Sequence, residues 1–492
     1  MSQKAIVVGS GFAGLATATA LAQKGFHVTI LEKNHQAGGR ARAFQTEGYH
    51  FDMGPSWYWM PDVFETYFQN FGKKVSDYYT LDRLDPSYRV YFGDRDFVDL
   101  PAGTEAVAAL FEKIEPGSGE KLLQFMEDSA YKYEVGINDL VYKPGRSVLE
   151  FLDLRIAKGL VQLDLLKSMR KYVHSHFKNP RLQQLMEFPI LFLGATPQNT
   201  PALYSLMNYA DIDGGTWFPR GGMHEIVKAM VSLAEEMGVE IKLDHEVTGL
   251  KMTGKRISAV NTKQGEFQAD LVVNAADYHH FEQEILPPSH RQYSPEYWDK
   301  RAMAPSSLLF YLGVNKKVEG ILHHTLFFDE DFDKHAEEIY THPQWPSKPL
   351  FYVSATSKTD PNAAPEGKEN VFLLMPLAPG LEDSEEQREK YYHIMMDRLE
   401  SHTGQEIRSH VHYKKSYAMQ DFMSDYHAFK GNAYGLANTL KQTAILKPAL
   451  KSKKVANLYY AGQLTTPGPG VPPSLISGLV AAAEVAKDTK KN

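Results

Sequence analysis

KAIVVGSGFAGLATATALAQKGFHVTILEK, residues 4–33, decides the fold. An apolar strand runs into a glycine turn, an alanine-rich helical stretch closes at Gly25, and a second strand, His27 to Leu31, ends at Glu32. This is a strand–helix–strand unit. Gly9, Gly11 and Gly14 form G-x-G-x-x-G between strand and helix, with Phe12 and Ala13 inside the motif. The first glycine serves the tight turn, the second lets main chain approach a pyrophosphate, and the third lets helix and strand pack closely. The helix N-terminus then turns free N–H groups and a positive dipole end toward the phosphates. Glu32 stands 23 residues after Gly9, with Lys33 beside it. A carboxylate there accepts from both ribose hydroxyls and repels a 2′-phosphate. The expected class is therefore α/β with a Rossmann-type dinucleotide site.

Working outward, Gly38-Gly39-Arg40 brings a second glycine pair past the dinucleotide, and Arg40 can neutralise phosphate charge. From about 104 to 212 the text reads as helical. Within it, 160–194 mixes apolar residues with Lys167, Arg170, Lys171, Lys178 and Arg181. That stretch reads either as an amphipathic pair on its own core or as a basic, apolar surface for lipid. A helix is expected over His224–Met237, then a β-meander that includes Val247. Mixed strands and helices follow from about 290 to 425. The C-terminal text, 457–486, reads as strand, Gly/Pro-rich loop and small-residue helix.

The 492 residues exceed what one core holds, so two or three subdomains are expected. Lys and Arg total 53 against 60 Asp and Glu, a net −7, which gives no electrostatic case for nucleic acid. Cysteine is absent, removing disulfides, thiolate catalysis and cysteine-ligated metals. Aromatic residues reach 12%, which fits either a filled core or the lining of a large apolar site. No signal peptide or spanning run is read, so the expectation is a cytoplasmic protein that can still lie on a membrane surface. The pairs His279-His280 and His323-His324 are read as strand neighbours on opposite faces, and no metal is expected. Asp211, Asp213 and His224 invite a catalytic reading, but are read as turn or capping aspartates and a solvated histidine, so no catalytic residue is assigned.

The extension 38–42 resembles the amine oxidase and phytoene desaturase superfamily of FAD enzymes. FDMGPS (51–56) resembles the family's Asp-x-Gly-Pro segment, TWFPRGGM (216–223) the Gly-Gly turn of bacterial-type carotenoid desaturases, and AGQLTTPGPGVPPSLISG (461–478) the C-terminal flavin motif. The resemblance implies FAD as cofactor. It places Gly54, Pro55 and Ser56 beside the isoalloxazine ring, Val247 at the adenine, and Gly462 and Gln463 by the pyrophosphate and ribityl chain. Val471, Pro472, Pro473 and Ser474 would open a helix whose positive end faces the flavin's pyrimidine edge. It further implies a mixed-sheet substrate domain and a helical, membrane-facing subdomain beside a glutathione-reductase-like FAD domain. The division expected is 1–75, 216–290 and 426–492 for the FAD domain, 76–215 for the helical lid region and 291–425 for the substrate domain.

The implied reaction removes two hydrogens from a long apolar polyene, one as hydride to flavin N5. The site needs chiefly to exclude water and hold the carbon about 3–3.5 Å from N5. Oxygen or a quinone would reoxidise the flavin. Ser-Trp-Tyr-Trp (56–59), Gly-Gln-Leu (462–464) and Pro-Pro (472–473) depart from phytoene desaturase text and tilt the expectation toward a hydroxycarotenoid or γ-carotenoid 3,4-desaturase. A phytoene desaturase, a flavin amine oxidase and a non-catalytic flavin-binding scaffold are the alternatives.

Overall fold

The computed structural model describes residues 2–147, 150, 167–194, 196–439 and 442–490. Its first sheet has five parallel strands in the order Leu458–Tyr460, Leu271–Asn274, Lys4–Val8, His27–Leu31, Glu240–Lys242. Alternation along the first strand explains its two covered faces. Ala5 and Val7 turn toward the first helix, Phe12–Gln23, while Ile6 and Val8 turn toward Ile257 and Val260. The latter two belong to a three-stranded antiparallel sheet, Val247–Thr253, Arg256–Thr262 and Gly265–Gln268. With both sides occupied, every residue of the first helix from Phe12 to Leu21 is buried. The C-terminal helix, Val471–Thr489, packs on it so closely that a Cβ at Gly478 would collide with the Ala13 carbonyl oxygen.

The second large sheet has seven strands, ordered Val411–Tyr417, Ser306–Val314, Glu369–Leu377, Phe351–Ser354, His324–Phe327, Tyr88–Gly93, Asp96–Leu100. All its pairs are antiparallel except His324–Phe327 with Tyr88–Gly93. Leu308, Phe310 and Leu312 face a core shared with Met395, Met396 and Leu399 of the helix Glu385–Thr403. The intervening Leu309 and Tyr311 face the opposite side, toward the first sheet's core. That second face carries the site. The last two strands lie just before the 104–212 text read as helical, inside the 76–215 region expected as a helical lid.

The helix expected after the Gly-Gly turn spans His224–Glu236. Helices Met169–His176 and Pro180–Glu187 occupy part of the basic stretch. Their apolar residues, Tyr172, Val173, Leu182 and Leu185 among them, are buried, and Arg170 pairs with Glu187 and Asp333 and Arg181 with Asp96. This described part of the stretch packs as an ordinary helix pair. Residues 151–166, on which the lipid-docking reading also rests, lie outside the described residues. Among the described residues no helix is long and apolar enough to cross a membrane.

Candidate active site

A cavity of about 460 Å³ runs from the glycine turn of the first sheet to the inner face of the second. Nineteen of the twenty sequence-selected cofactor residues line it: Gly9 through Ala13 of that set, Glu32, Lys33, Gly38 to Arg40, Gly54 to Ser56, Val247, Gly462, Gln463 and Val471 to Ser474. Gly14 does not. A Cβ there would collide with the Gly9 carbonyl oxygen, so Gly14 closes the helix onto the turn and acts on the site through packing. The helices starting at Phe12 and Val471 both present their N-termini to the cavity, where free N–H groups and dipole ends favour an anion.

Glu32 is 4% exposed, and four donors already surround its carboxylate. Oε2 accepts from Ser10 N at 2.8 Å and Ser10 Oγ at 2.7 Å; Oε1 accepts from Asn34 N at 2.9 Å and Asn34 Nδ2 at 3.0 Å. A carboxylate offers about four acceptor sites, so a hydroxyl that paired with Glu32 would take the place of a side-chain donor, Ser10 Oγ or Asn34 Nδ2. Neither residue was selected from sequence, although Ser10 sits inside the glycine motif. Their signal was adjacency alone.

Arg40 has a buried guanidinium whose Nε finds no partner. Its Nη2 donates to the Asn432 carbonyl at 3.2 Å, and in the orientation that matches donors to acceptors the Gln463 amide oxygen lies 2.9 Å from Nη2. Burial lowers its pKa, and the neighbouring Asp277, itself pushed up to about 6 by burial, makes no direct ion pair with it. Asp277 instead accepts from His280 N at 2.9 Å and Phe429 N at 3.3 Å. A buried cation with a spare donor, next to Gly11 at the start of the Phe12 helix, whose Cβ position meets nothing within 4 Å, fits a pyrophosphate.

The FDMGPS and FPRGGM segments form one support. Asp52 accepts from Met223 N at 2.8 Å and His224 N at 3.0 Å, capping the helix there. Gly54 passes so near Arg40 that a Cβ would come within 2.5 Å of its carbonyl oxygen. His224 is buried, not solvated: its Nδ1 bonds the Ala41 carbonyl at 2.7 Å, and burial lowers its pKa. Asp211 is likewise no exposed turn residue. It accepts from Tyr88 Oη at 2.8 Å and Thr216 Oγ1 at 3.1 Å, and Thr216 accepts from Trp59 Nε1 at 2.9 Å. Burial pushes Asp211 up to about 7. It stands behind the cavity wall rather than in it, fixing Trp59, which does line the cavity. Asp213 is exposed and accepts from Thr104 Oγ1 at 2.9 Å.

The histidine pairs also differ from expectation. His279 and His280 begin a helical turn capped by Asp277; His279 stacks on Phe429 and His280 on His427. The His323 and His324 rings meet edge to face at 4.4 Å, because His323 precedes the strand that begins at His324. Among the described residues no three His, Asp or Glu side chains converge as metal ligands.

At the far end the wall is apolar. Strand register sets Leu309 beside Leu374, Leu374 beside Tyr352 and Tyr352 beside Leu326, a continuous row across four strands that faces the cavity. At about 4.8 Å per strand the row spans roughly 14 Å. Phe332, His335, Ala336, Ile339 and Tyr340 of the helix Phe332–Tyr340 cover it, and Trp57, Trp59 and Phe188 close the side. Among the described residues His335 is the one lysine-, histidine- or carboxylate-type side chain that lines the cavity at this end. Leu350 N donates to its Nδ1 at 3.0 Å and its Nε2 meets the Pro376 carbonyl at 3.2 Å, so both nitrogens are engaged and burial brings its pKa to about 4. Lys447, the buried lysine near the C-terminal loop, does not line the cavity. It donates to Asn438 Oδ1 at 2.6 Å and the Pro467 carbonyl at 2.8 Å, and burial brings it to about 7.

A glycine-built anion cradle opening into a long apolar chamber narrows the families the chain can join. The model of the flavin containing amine oxidoreductases matches residues 12–486. The carotenoid 3,4-desaturase of Haloarcula japonica is 43% identical over 484 residues, covering 98% of each chain. The chain belongs to the carotenoid desaturases of the flavin containing amine oxidoreductase family. It is an FAD-dependent oxidoreductase. The zeta-carotene-forming phytoene desaturase of Myxococcus xanthus is 32% identical over 96% of this chain and 92% of its own. Among solved structures, an oxidoreductase from Methanosarcina mazei superposes with a TM-score of 0.64 at 15% identity, covering 97% of this chain and 99% of that one. The chain thus shares its mixed α/β architecture with that remote oxidoreductase.

Proposed function

We propose that this flavoenzyme introduces the 3,4 double bond into a carotenoid, with a hydroxycarotenoid or γ-carotenoid as substrate. The observation that carries this reading is the apolar row Leu309–Leu374–Tyr352–Leu326 under aromatic cover, continuous with the dinucleotide cradle. Bound FAD supplies a two-electron acceptor. Gly9, Gly11 and the N-terminus at Phe12 would hold its pyrophosphate with Arg40; the N-terminus at Val471 would face the pyrimidine edge of its ring, Glu32 would orient a ribose, and Gly54 to Ser56 would flank the ring. The chamber excludes water and holds the polyene extended, and the cation that develops on loss of hydride is delocalised along the polyene, so few ionised side chains are required. Trp57 and Trp59 add ring faces to that wall.

In this reading residues 1–75, 216–290 and 426–492 act as the FAD-binding unit, 76–215 as a helical lid region and 291–425 as the substrate unit. A polyene resides in lipid, so the helical region is proposed to dock on a membrane surface, in a peripheral, cytoplasmic setting. Oxygen or a quinone takes the electrons onward.

The test is anaerobic mixing of the flavin-loaded enzyme with phytoene, lycopene or 1′-hydroxy-γ-carotene in liposomes. Bleaching of the flavin band with a red-shifted product from the hydroxylated carotenoid is expected. Bleaching by an amine and by none of the polyenes would overturn the reading, and bleaching by phytoene alone would move it to a phytoene desaturase.

A further inference from the structure

The floor of the chamber changes character one step along the strands. Beside the row that contains Leu326 and Tyr352 stand His324 and Ser354, paired in register and on the same face, two residues away on each strand. His324 Nδ1 lies 2.5 Å from Tyr352 Oη, and the hydroxyls of Ser56 and Ser354 lie against that same oxygen. Trp57 stacks flat on the His324 ring at 4.1 Å and 10°. The group is dry: His324 is 0%, Ser354 3% and Tyr352 5% exposed. His324 Nε2 ends without a hydrogen-bond partner. Tyr352 and Ser56 both line the cavity.

Tyr352 and Ser56 set two hydroxyls of this cluster in a chamber wall that is otherwise apolar, where a polar group without a partner is costly. Burial keeps His324 neutral, with one N–H and one lone pair. With the proton on Nδ1 it donates to Tyr352 Oη, and the tyrosine's own O–H is then available to a cavity oxygen. Ser56 ties the cluster to the Gly54–Pro55 turn, the segment assigned above to the flavin ring.

We infer that Tyr352, oriented by His324 and flanked by Ser56, is a specificity-determining residue that hydrogen-bonds a hydroxyl carried by the polyene near the bond being oxidised. The inference rests on the desaturase reading and assigns, within it, the side chain that meets the alcohol of a hydroxycarotenoid. A site built to pair a hydroxyl rejects the analogue lacking it, because its own buried groups are left unpaired.

The experiment compares 1′-hydroxy-γ-carotene with γ-carotene on the flavin-loaded wild type, Tyr352→Phe and Ser56→Ala, with flavin content measured for each. The wild type is expected to favour the alcohol in kcat/KM. In Tyr352→Phe that ratio falls at least tenfold, mostly through KM, and in Ser56→Ala it falls less. Binding of each carotenoid to the oxidised enzyme, read from the shift of the polyene band, reports the same ratio without turnover. A wild type that treats both carotenoids alike, or a Phe variant that keeps the preference in turnover and binding, overturns the inference and leaves the desaturase reading standing. A wild-type flavin reduced by neither carotenoid overturns both.

Discussion

At the dinucleotide end of the cavity the wall is largely main chain: a glycine turn, two helix N-termini and loops pressed so close that Gly14, Gly54 and Gly478 admit no Cβ. At the polyene end it is side chain, Leu309, Leu326, Tyr352 and Leu374 from four strands under the helix Phe332–Tyr340. The difference teaches how each end tolerates change. Main-chain geometry fails as a unit, whereas a side-chain wall can be altered one residue at a time without unseating its neighbours.

The sharpest break within the first end separates two glycines three residues apart. Gly14→Ala drives a Cβ into backbone and is expected to cost at least about 3 kcal/mol, abolishing soluble, flavin-bound protein. Gly11→Ala is expected to behave differently. Its φ of −69° suits alanine and its Cβ meets only open space, so the flavin-free chain should melt close to the wild type yet bind FAD very weakly. Thermal melts of flavin-free protein with FAD titration check both. If Gly11→Ala loads FAD normally, the pyrophosphate does not pass there.

Arg40→Ala tests the same end through charge. Removing the buried guanidinium is expected to weaken FAD by roughly 10–100-fold, about 1.4–2.7 kcal/mol, with a smaller loss in Arg40→Lys. At the other end, Ala336→Phe places a ring in the chamber from its cover helix. Flavin content should stay at the wild-type level while polyene turnover drops at least about tenfold, since the new side chain fills space that a long substrate needs. Loss of flavin in Ala336→Phe would show that the two ends are not separable.

The same contrast explains what the sequence disclosed. The dinucleotide end was legible because its requirements are local: G-x-G-x-x-G, Glu32 and the Pro-Pro helix start are contiguous text whose spacing follows from one turn and one helix. What escaped there were second partners, Ser10 and Asn34, which fill the Glu32 carboxylate. The polyene end was legible only through family resemblance. Leu309, Leu326, Tyr352 and Leu374 are brought together by register among strands far apart in the chain, and each reads locally as core. Asp211 and His224 were misread for a related reason. Both lie near a glycine turn, which locally implies solvent, but the turn is docked on Asp52 and the aspartate is enclosed by Tyr88, Thr216 and Trp59.

The smallest effect concerns the support behind the chamber wall. The folded chain holds the Asp211 proton up to about pH 7, whereas an unfolded carboxyl releases it near ~3.9. The folded state therefore binds more protons between those values, and the stability this group contributes is fully present below about pH 4 and lost as pH rises through about 7. Asn has the same shape, still accepts from Tyr88 through its oxygen, and can donate to Thr216 without ionising. Asp211→Asn is accordingly expected to gain on wild type as pH rises from 5 to 8, by on the order of 1–4 kcal/mol at the upper end. Denaturant unfolding at stepped pH measures it. Curves that run parallel across that window would mean that Asp211 is ionised and stabilised as a carboxylate, and Trp59 would then be held by a charge rather than by a neutral acid.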